Sequence, residues 1–114
     1  MLTYPTQATL PELQHYVQVK CRERGFDSAS NLETFLLFSE EIGEMAKAIR
    51  NYQGLFQENA SHSDTPENSQ AQSELAEEMS DVLSYLLDLA NRYHVNLDEA
   101  FRRKEAINDQ RHWQ

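Results

Sequence analysis

The sequence predicts an all-α fold, a small bundle of about four helices, for two reasons. Only three glycines and three prolines occur in 114 residues, which leaves few positions for the tight turns of a β protein. Apolar residues also recur at steps of three and four over long stretches, which is the period of an amphipathic helix. This length is typical of one domain, so we expect residues 1–114 to form a single domain.

Capping boxes predict where the four helices begin. In a capping box, a Ser, Thr or Asn is followed three residues later by Glu or Gln, and the two side chains satisfy backbone N–H groups that the helix leaves unpaired. The pairs are Thr9 with Glu12, Ser30 with Glu33, Ser69 with Gln72, and Asn96 with Glu99. The corresponding helices are predicted over about Leu10 to Arg24, Asn31 to Tyr52, Gln70 to Tyr93, and Leu97 to His112.

The first and last helices carry modest apolar patterns. In the first helix, Pro11 falls in the first turn, where the missing N–H of proline costs nothing, and Gly25 marks the end. Its amphipathic face is predicted to be Leu13, Tyr16, Val17 and Lys20. The last helix has Ala100, Phe101 and Ile107 as its apolar residues.

The two long central helices carry stronger apolar stripes, which we expect to face each other. In the second helix the stripe is Leu32, Phe35, Leu36, Ser39, Ile42, Gly43, Ala46 and Ile49, and in the third it is Leu75, Met79, Val82, Leu86, Leu89 and Tyr93. A mid-helix glycine costs about 1 kcal/mol relative to alanine, so a close helix crossing is expected at Gly43. The apolar content is generous for one short chain, which favours a homo-oligomer, a homodimer or a homotetramer.

Between these helices, residues 53–68 read QGLFQENASHSDTPEN and lose the helical period. Asn, Ser, Asp and Pro are common in this segment, which is typical of a loop. We therefore expect a flexible loop or a lid here, with Leu55 and Phe56 packing at its start.

The charge and the single cysteine exclude several classes of partner and compartment. Acidic residues outnumber basic ones by 19 to 10, a net charge of −9, so a nucleic acid polymer would be repelled. Cys21 has no second cysteine for an internal disulfide, and no apolar run approaches the roughly 20 residues of a membrane span. With no signal-peptide pattern at Met1 to Leu10, we expect a cytoplasmic protein with no membrane partner.

An acidic pattern within the two long helices is the most informative feature. The second helix contains an EExxE (Glu40, Glu41, Glu44), and the third contains an ExxD (Glu78, Asp81). At about 100° per residue, the last two glutamates of EExxE share one helix face, as do both residues of ExxD. If the helices are adjacent, four carboxylates can bind one divalent cation, and oxygen ligands without His or Cys favour Mg²⁺ or Mn²⁺ over zinc. The alternative is a solvated acidic face that binds nothing.

These motifs resemble those of the MazG-like all-α nucleoside triphosphate pyrophosphohydrolases, whose signature is EExxE on one helix and ExxD on the next. The matching segments are FSEEIGEMAKAI, residues 38–49, and ELAEEMSDVLSYLLDLA, residues 74–90. The last helix is similar to the family's Lys-Asn-Arg tail, so the resemblance covers about Leu32 to Trp113. One departure is the stretch of 33 residues between Glu44 and Glu78, which is longer than usual in the family. The extra length falls in the 53–68 loop.

The resemblance implies a role for each matching residue. It implies that Mg²⁺, with Mn²⁺ as a possible substitute, is bound by Glu41, Glu44, Glu78 and Asp81. It implies that Glu40 and Glu41 are catalytic, with Glu40 orienting the attacking water or acting as its base. It also implies that Lys104, Asn108 and Arg111 bind the phosphates or the sugar of the nucleotide.

The implied activity is Mg²⁺-dependent hydrolysis of a (d)NTP to the (d)NMP and pyrophosphate, in a role similar to nucleotide-pool cleansing. Two alternatives stay open from the sequence. The first is phosphoribosyl-ATP pyrophosphohydrolase, which shares the fold and the acidic helices. The second is a non-catalytic interaction module with an acidic helical face.

Overall fold

The computed structural model describes residues 2–54 and 69–111. Its α-helices are α1 (Leu10–Glu23), α2 (Asn31–Tyr52), α3 (Gln70–Arg92) and α4 (Leu97–Asp109), and a short 3-10 helix (Phe26–Ser28) follows α1. No strand occurs in the described ranges. The predicted all-α class with four helices is confirmed. None of the helices in these ranges is both long enough and apolar enough to cross a membrane.

The predicted helix boundaries agree with the structure to within one residue, except at the end of the last helix. There α4 ends at Asp109 instead of His112, because the Gln110 N–H bonds to the Ile107 carbonyl at 3.1 Å in a tightened final turn. The 3-10 helix was not predicted, since three residues are too few to show a period. Of the predicted 53–68 loop, residues 55–68 lie outside the described ranges.

Local capping hydrogen bonds explain why three of the helices begin where they do. At α1 the capping box is complete: the Glu12 N–H donates to Thr9 Oγ1 at 3.3 Å, and the Thr9 N–H donates to the Glu12 carboxylate at 3.0 Å. At α3 and α4 the N–H groups of Gln72 and Glu99 donate to the side chains of Ser69 and Asn96, both at 3.1 Å. Each bond satisfies a donor that the helix itself leaves unpaired.

The described chain divides into two compact units. One unit comprises Met1–Asn31 and Leu87–Gln114, and the other comprises Leu32–Leu86. The first contains α1, the 3-10 helix, the last turns of α3, and α4. The second contains nearly all of α2 and the longer part of α3. That residues 1–114 form a single domain stays a prediction.

A buried glutamine, Gln14 of α1, organises the first unit. Its Nε2 donates to the Val95 carbonyl at 2.9 Å and to Asn91 Oδ1 at 3.3 Å, and its Oε1 accepts from the Leu97 N–H at 2.8 Å. Asn91 Nδ2 in turn donates to the Gln14 carbonyl at 2.9 Å. One side chain therefore joins α1 to the end of α3 and satisfies an N-terminal donor of α4.

A half-buried arginine, Arg92, anchors the 3-10 helix of the same unit. Its guanidinium donates to the carbonyls of Ala29 at 2.6 Å and Phe26 at 3.0 Å. It also pairs with Asp88, one turn earlier on α3, at 3.0 Å. Because the planar guanidinium offers several donors in fixed directions, it holds this turn against α3.

In the second unit, α2 buries a different side from the one that its apolar stripe predicted. Thr34 and Ala48 are buried, and Phe38 and Met45 between them are half-buried. The predicted stripe is exposed instead, with Leu32 67%, Phe35 49% and Leu36 55% accessible. The prediction that the two stripes face each other is therefore wrong for α2. The reason is that this helix is apolar on two sides, and periodicity alone does not say which side the chain buries.

The helix crossing expected at Gly43 is also absent among the described residues. A Cβ atom added at Gly43 would have no atom within 4 Å. On α3 the predicted stripe is divided, because Leu89 is buried whereas Met79 and Leu86 are 47% and 41% exposed.

We expect Gln14→Leu to lower the free energy of unfolding by about 2–3 kcal/mol, because it leaves the Val95 carbonyl and the Leu97 N–H without their partner. Urea denaturation followed by circular dichroism measures this change. Gln18→Leu, one turn further along α1, is the control and should change stability by less than about 0.5 kcal/mol. Equal losses in the two variants would contradict the role given to Gln14.

Candidate metal centre

The acidic motifs lie within uninterrupted helix, which fixes the relative positions of their side chains. EExxE occupies the middle of α2, and ExxD occupies the first half of α3. Glu41 lies on the same side of α2 as Phe38 and Met45, so packing of this side brings its carboxylate towards α3 and leaves it half-buried.

Three of the four predicted metal ligands come together across the two helices. Glu41, Glu78 and Asp81 each offer a carboxylate oxygen, and these oxygens lie within 4.8 Å of one another. Opposite ligands of a Mg²⁺ ion stand about 4.2 Å apart, twice a bond length of about 2.1 Å. The separations of the three oxygens are thus close to those between the ligands of one ion. Glu41 and Glu78 are half-buried, and Asp81 is exposed, which leaves one side of the group open.

The group borders an open cavity of about 660 Å³. This volume lies within the roughly 300–1,000 Å³ typical of small-molecule sites. The lining residues are Glu40, Glu41, Gly43, Glu44, Glu78 and Asp81. All five predicted acidic residues thus meet at one cavity, but Glu40 and Glu44 lie outside the close group of three.

Gly43 is the one member of this lining that the motif did not predict. Its position inside EExxE, at mid-helix, was the available signal. Because no atom of the described residues lies within 4 Å of a Cβ added there, this glycine leaves the cavity open.

Burial and neighbouring negative charge both act on the carboxylate of Glu41. Burial raises the pKa of Glu41 above its ordinary value, and the negative charges of Asp81 and Glu78 raise it further. A hydrogen bond shared with Glu78 and the charge of Glu44 act in the same direction. A divalent cation would reverse these charge effects, because it favours the ionised form of every carboxylate in the group.

The net charge of −9 comes entirely from the second unit. Residues 32–86 contain eleven acidic and two basic residues, whereas the other unit contains eight of each. A phosphate group approaching the cavity would therefore meet strong repulsion unless a cation lay between them. The donor atoms near the cavity are carboxylate oxygens without His or Cys, so the group could bind a hard divalent ion such as Mg²⁺ or Mn²⁺.

The three residues predicted to bind the nucleotide lie in the other unit. Lys104 and Asn108 are one turn apart on α4, and Arg111 follows just after the helix ends, with its N–H bonded to the Asn108 carbonyl at 3.1 Å. Lys104 and Arg111 are exposed, and Asn108 is half-buried. Their role in binding a nucleotide stays a prediction.

We expect Glu41→Gln to stabilise the metal-free protein at neutral pH and to abolish stabilisation by Mg²⁺. A carboxyl whose pKa is raised by folding stabilises the native state less as pH rises from its ordinary value, 4.5, through its raised value. The amide removes this repulsion and also a metal ligand. Thermal unfolding at pH 7.5, with and without Mg²⁺, measures both effects.

The matched control is Glu77→Gln, an exposed carboxylate on α3 outside the close group. It should leave the Mg²⁺-dependent shift unchanged. A Mg²⁺-dependent shift in Glu41→Gln as large as in the unsubstituted protein would exclude Glu41 as a ligand.

Comparison with protein-family models matches residues 29–112 to the MazG nucleotide pyrophosphohydrolase domain. This range takes in every predicted site residue, from Glu40 to Arg111. Comparison with curated proteins finds no significant match. The match covers well over half of the 114 residues and confirms the resemblance carried by EExxE and ExxD. The chain therefore belongs to the family of MazG nucleotide pyrophosphohydrolase domains.

Proposed function

We propose that this protein hydrolyses a nucleoside triphosphate, a (d)NTP, to the (d)NMP and pyrophosphate in a Mg²⁺-dependent reaction. Members of its family act on nucleotides and generally depend on a divalent metal. The observation that carries the proposal is the group of Glu41, Glu78 and Asp81, whose oxygens lie within 4.8 Å of one another beside an open cavity. A solvated acidic face would not require carboxylates from two helices to meet.

In the proposed reaction, the oxygen of a water molecule attacks the α-phosphorus. The bond from the α-phosphorus to the bridging α–β oxygen breaks, pyrophosphate leaves with that oxygen, and the water loses a proton. When bound, Mg²⁺ would neutralise the triphosphate and make the attacking water more acidic. The barrier is thus lowered by positioning and charge neutralisation, without a covalent intermediate.

The carboxylates around the cavity divide this work in the proposal. Glu41, Glu78 and Asp81 would hold the metal, and Glu44, which borders the same cavity, would be the fourth ligand. Glu40 borders the same cavity but lies outside the close group, so its carboxylate is available to orient the attacking water or accept its proton. Glu41, next to it in the chain and a member of the close group, would be the second catalytic residue.

The phosphates of the nucleotide also require contacts with positively charged side chains. The unit that contains the carboxylates has only two basic residues. Lys104 and Arg111 would contact the phosphates, and Asn108 would hydrogen-bond the phosphates or the sugar. The biological role proposed is nucleotide-pool cleansing in the cytoplasm, by a homodimer or homotetramer.

We expect Glu78→Gln and Asp81→Asn to abolish pyrophosphate release. The assay incubates purified protein with a panel of NTPs and dNTPs, with and without Mg²⁺, and identifies the phosphate product by ³¹P NMR. Each substitution removes a negative ligand, and loss of such a ligand should lower kcat by at least about 100-fold. Mn²⁺ should replace Mg²⁺ in part.

Glu77→Gln is the control, because it makes the same chemical change one residue away and about 100° around α3. It should retain activity. Release of orthophosphate instead of pyrophosphate would show that a different bond breaks, and equal activity in Glu77→Gln and Glu78→Gln would overturn the proposed site.

A second prediction concerns substrate binding. Lys104→Ala should raise KM for the nucleotide about tenfold with a smaller effect on kcat, because it removes one charge-assisted contact to phosphate. Arg103→Ala removes a neighbouring positive charge that points about 100° away, and should leave KM within about twofold. Equal increases in both variants would indicate that general positive charge, and not a contact by Lys104, binds the substrate.

A further inference from the structure

The surface of α4 carries an exposed aromatic side chain, Phe101, that the proposed chemistry does not use. Phe101 is 66% exposed, the largest exposed fraction of any large apolar side chain among the described residues of the first unit. A single exposed apolar side chain is common on protein surfaces, so its exposure alone does not indicate a function. Its position relative to Lys104 and Asn108 does.

Phe101 shares one face of α4 with these two residues, which we propose to bind the nucleotide. At about 100° per residue, Asn108 lies about 20° around the helix from Phe101, and Lys104 lies about 60° from it. Along the helix axis, Lys104 is about 4.5 Å from Phe101, and Asn108 is about 10.5 Å from it. All three residues belong to the single helix Leu97–Asp109, so this arrangement does not depend on how α4 packs. One nucleotide can therefore contact all three side chains.

The charged side chains of α4 place positive charge on one side of Phe101 and negative charge on the other. Lys104 is exposed, and no carboxylate in the described part of the chain forms an ion pair with it. Arg102, about 100° around the helix from Phe101, is instead paired with Asp98 at 3.1 Å. Glu105 lies about 40° from Phe101 on the side opposite to Lys104. The phosphates of a nucleotide would therefore lie on the Lys104 side, away from the charge of Glu105.

The surroundings of Phe101 favour a nucleobase over another protein as its partner. The core of a protein interface is apolar and poor in lysine, but Phe101 has Lys104 one turn away. The other large exposed apolar side chain of α4, Ile107, is about 120° around the helix and does not extend the same surface. An aromatic ring next to a cation is the combination that binds bases and phosphates together, because the ring stacks on the base and the ammonium group contacts the phosphates.

We propose that Phe101 stacks on the base of the nucleotide whose phosphates Lys104 contacts. This inference rests on the proposed function and deepens it, because it adds a residue that binds the base. The phenyl ring contacts the π face, which purines and pyrimidines share. It therefore favours nucleotides over ions that consist of phosphate alone, and it selects only weakly among the bases. Strong selection would require hydrogen bonds to the base edges, which a phenyl ring cannot form.

The test measures binding by isothermal titration calorimetry in the presence of Mg²⁺ and without turnover. Two probes are the α,β-methylene analogues of dATP and dTTP, in which a carbon replaces the bridging oxygen so that no pyrophosphate can leave. The third probe is tripolyphosphate, which has no base. Phe101→Ala should raise the Kd of both analogues about tenfold or more, because it removes the stacking contact. It should leave the Kd of tripolyphosphate within about twofold.

Three further variants separate stacking from other effects of the side chain. Phe101→Tyr keeps the ring and should bind both analogues within about threefold of the unsubstituted protein. Phe101→Leu keeps an apolar side chain without the ring, and should weaken binding nearly as much as Phe101→Ala. Ile107→Ala is the matched control, because it removes an exposed apolar side chain from another side of α4. It should change each Kd by less than about twofold.

Thermal unfolding and sedimentation equilibrium of Phe101→Ala test whether this side chain packs against protein instead. The same Tm and the same mass as in the unsubstituted protein are expected, because Phe101 is mostly exposed. A lower Tm, a smaller mass, or an equal rise in the Kd of all three probes would overturn the proposal. Equal effects of Phe101→Ala and Ile107→Ala on the two analogues would also overturn it.

Pyrophosphate release from dATP and dTTP separates this inference from the proposed activity. If Phe101→Ala weakens binding of the analogues in a protein that releases no pyrophosphate, the stacking is supported and the activity is overturned. If pyrophosphate is released with the same KM in Phe101→Ala and in the unsubstituted protein, the activity is supported and the stacking is overturned.

Discussion

Repulsion among Glu41, Glu78 and Asp81 is the constraint on which the rest of this protein depends. Three carboxylates whose oxygens lie within 4.8 Å of one another destabilise the helices that carry them unless a cation is present. Burial raises the pKa of Glu41, and the charges of Asp81 and Glu78 raise it further. The same arrangement could bind a hard divalent ion, whose charge would offset this repulsion.

The two long helices accordingly serve different purposes on different sides. One side of α2 packs Phe38 and Met45 and carries Glu41 to the metal centre. Another side of α2, with Phe35, Ile42 and Ile49, is exposed, and no described residue within 32–86 buries it. A helix that is apolar on two sides and acidic on a third leaves one apolar side to solvent when the chain packs only the other.

Two polar side chains join distant segments of the first unit. Gln14 and Arg92 each bond to backbone groups of segments far away in sequence, and both are well shielded from solvent. Such bonds are directional, so they define where α4 begins and how the turn after α1 sits against α3. Since α4 carries Lys104 and Asn108, these structural bonds also set the position of the residues proposed to bind the nucleotide.

The sequence by itself determined the helices and the pairing of carboxylates within each motif, because both depend on local interactions. Caps such as Thr9 with Glu12 act over three residues, and the spacing of Glu78 and Asp81 places both on one helix face wherever that helix lies. Only the tertiary structure decided which side of α2 is buried, and that Glu41 rather than Glu44 joins the two α3 carboxylates in the close group. Likewise, Arg92 holds the turn after α1 through hydrogen bonds to residues more than 60 positions away in the sequence, which only the structure reveals. These outcomes depend on which residues meet between helices, and a repeating pattern along one helix contains no information about its neighbour.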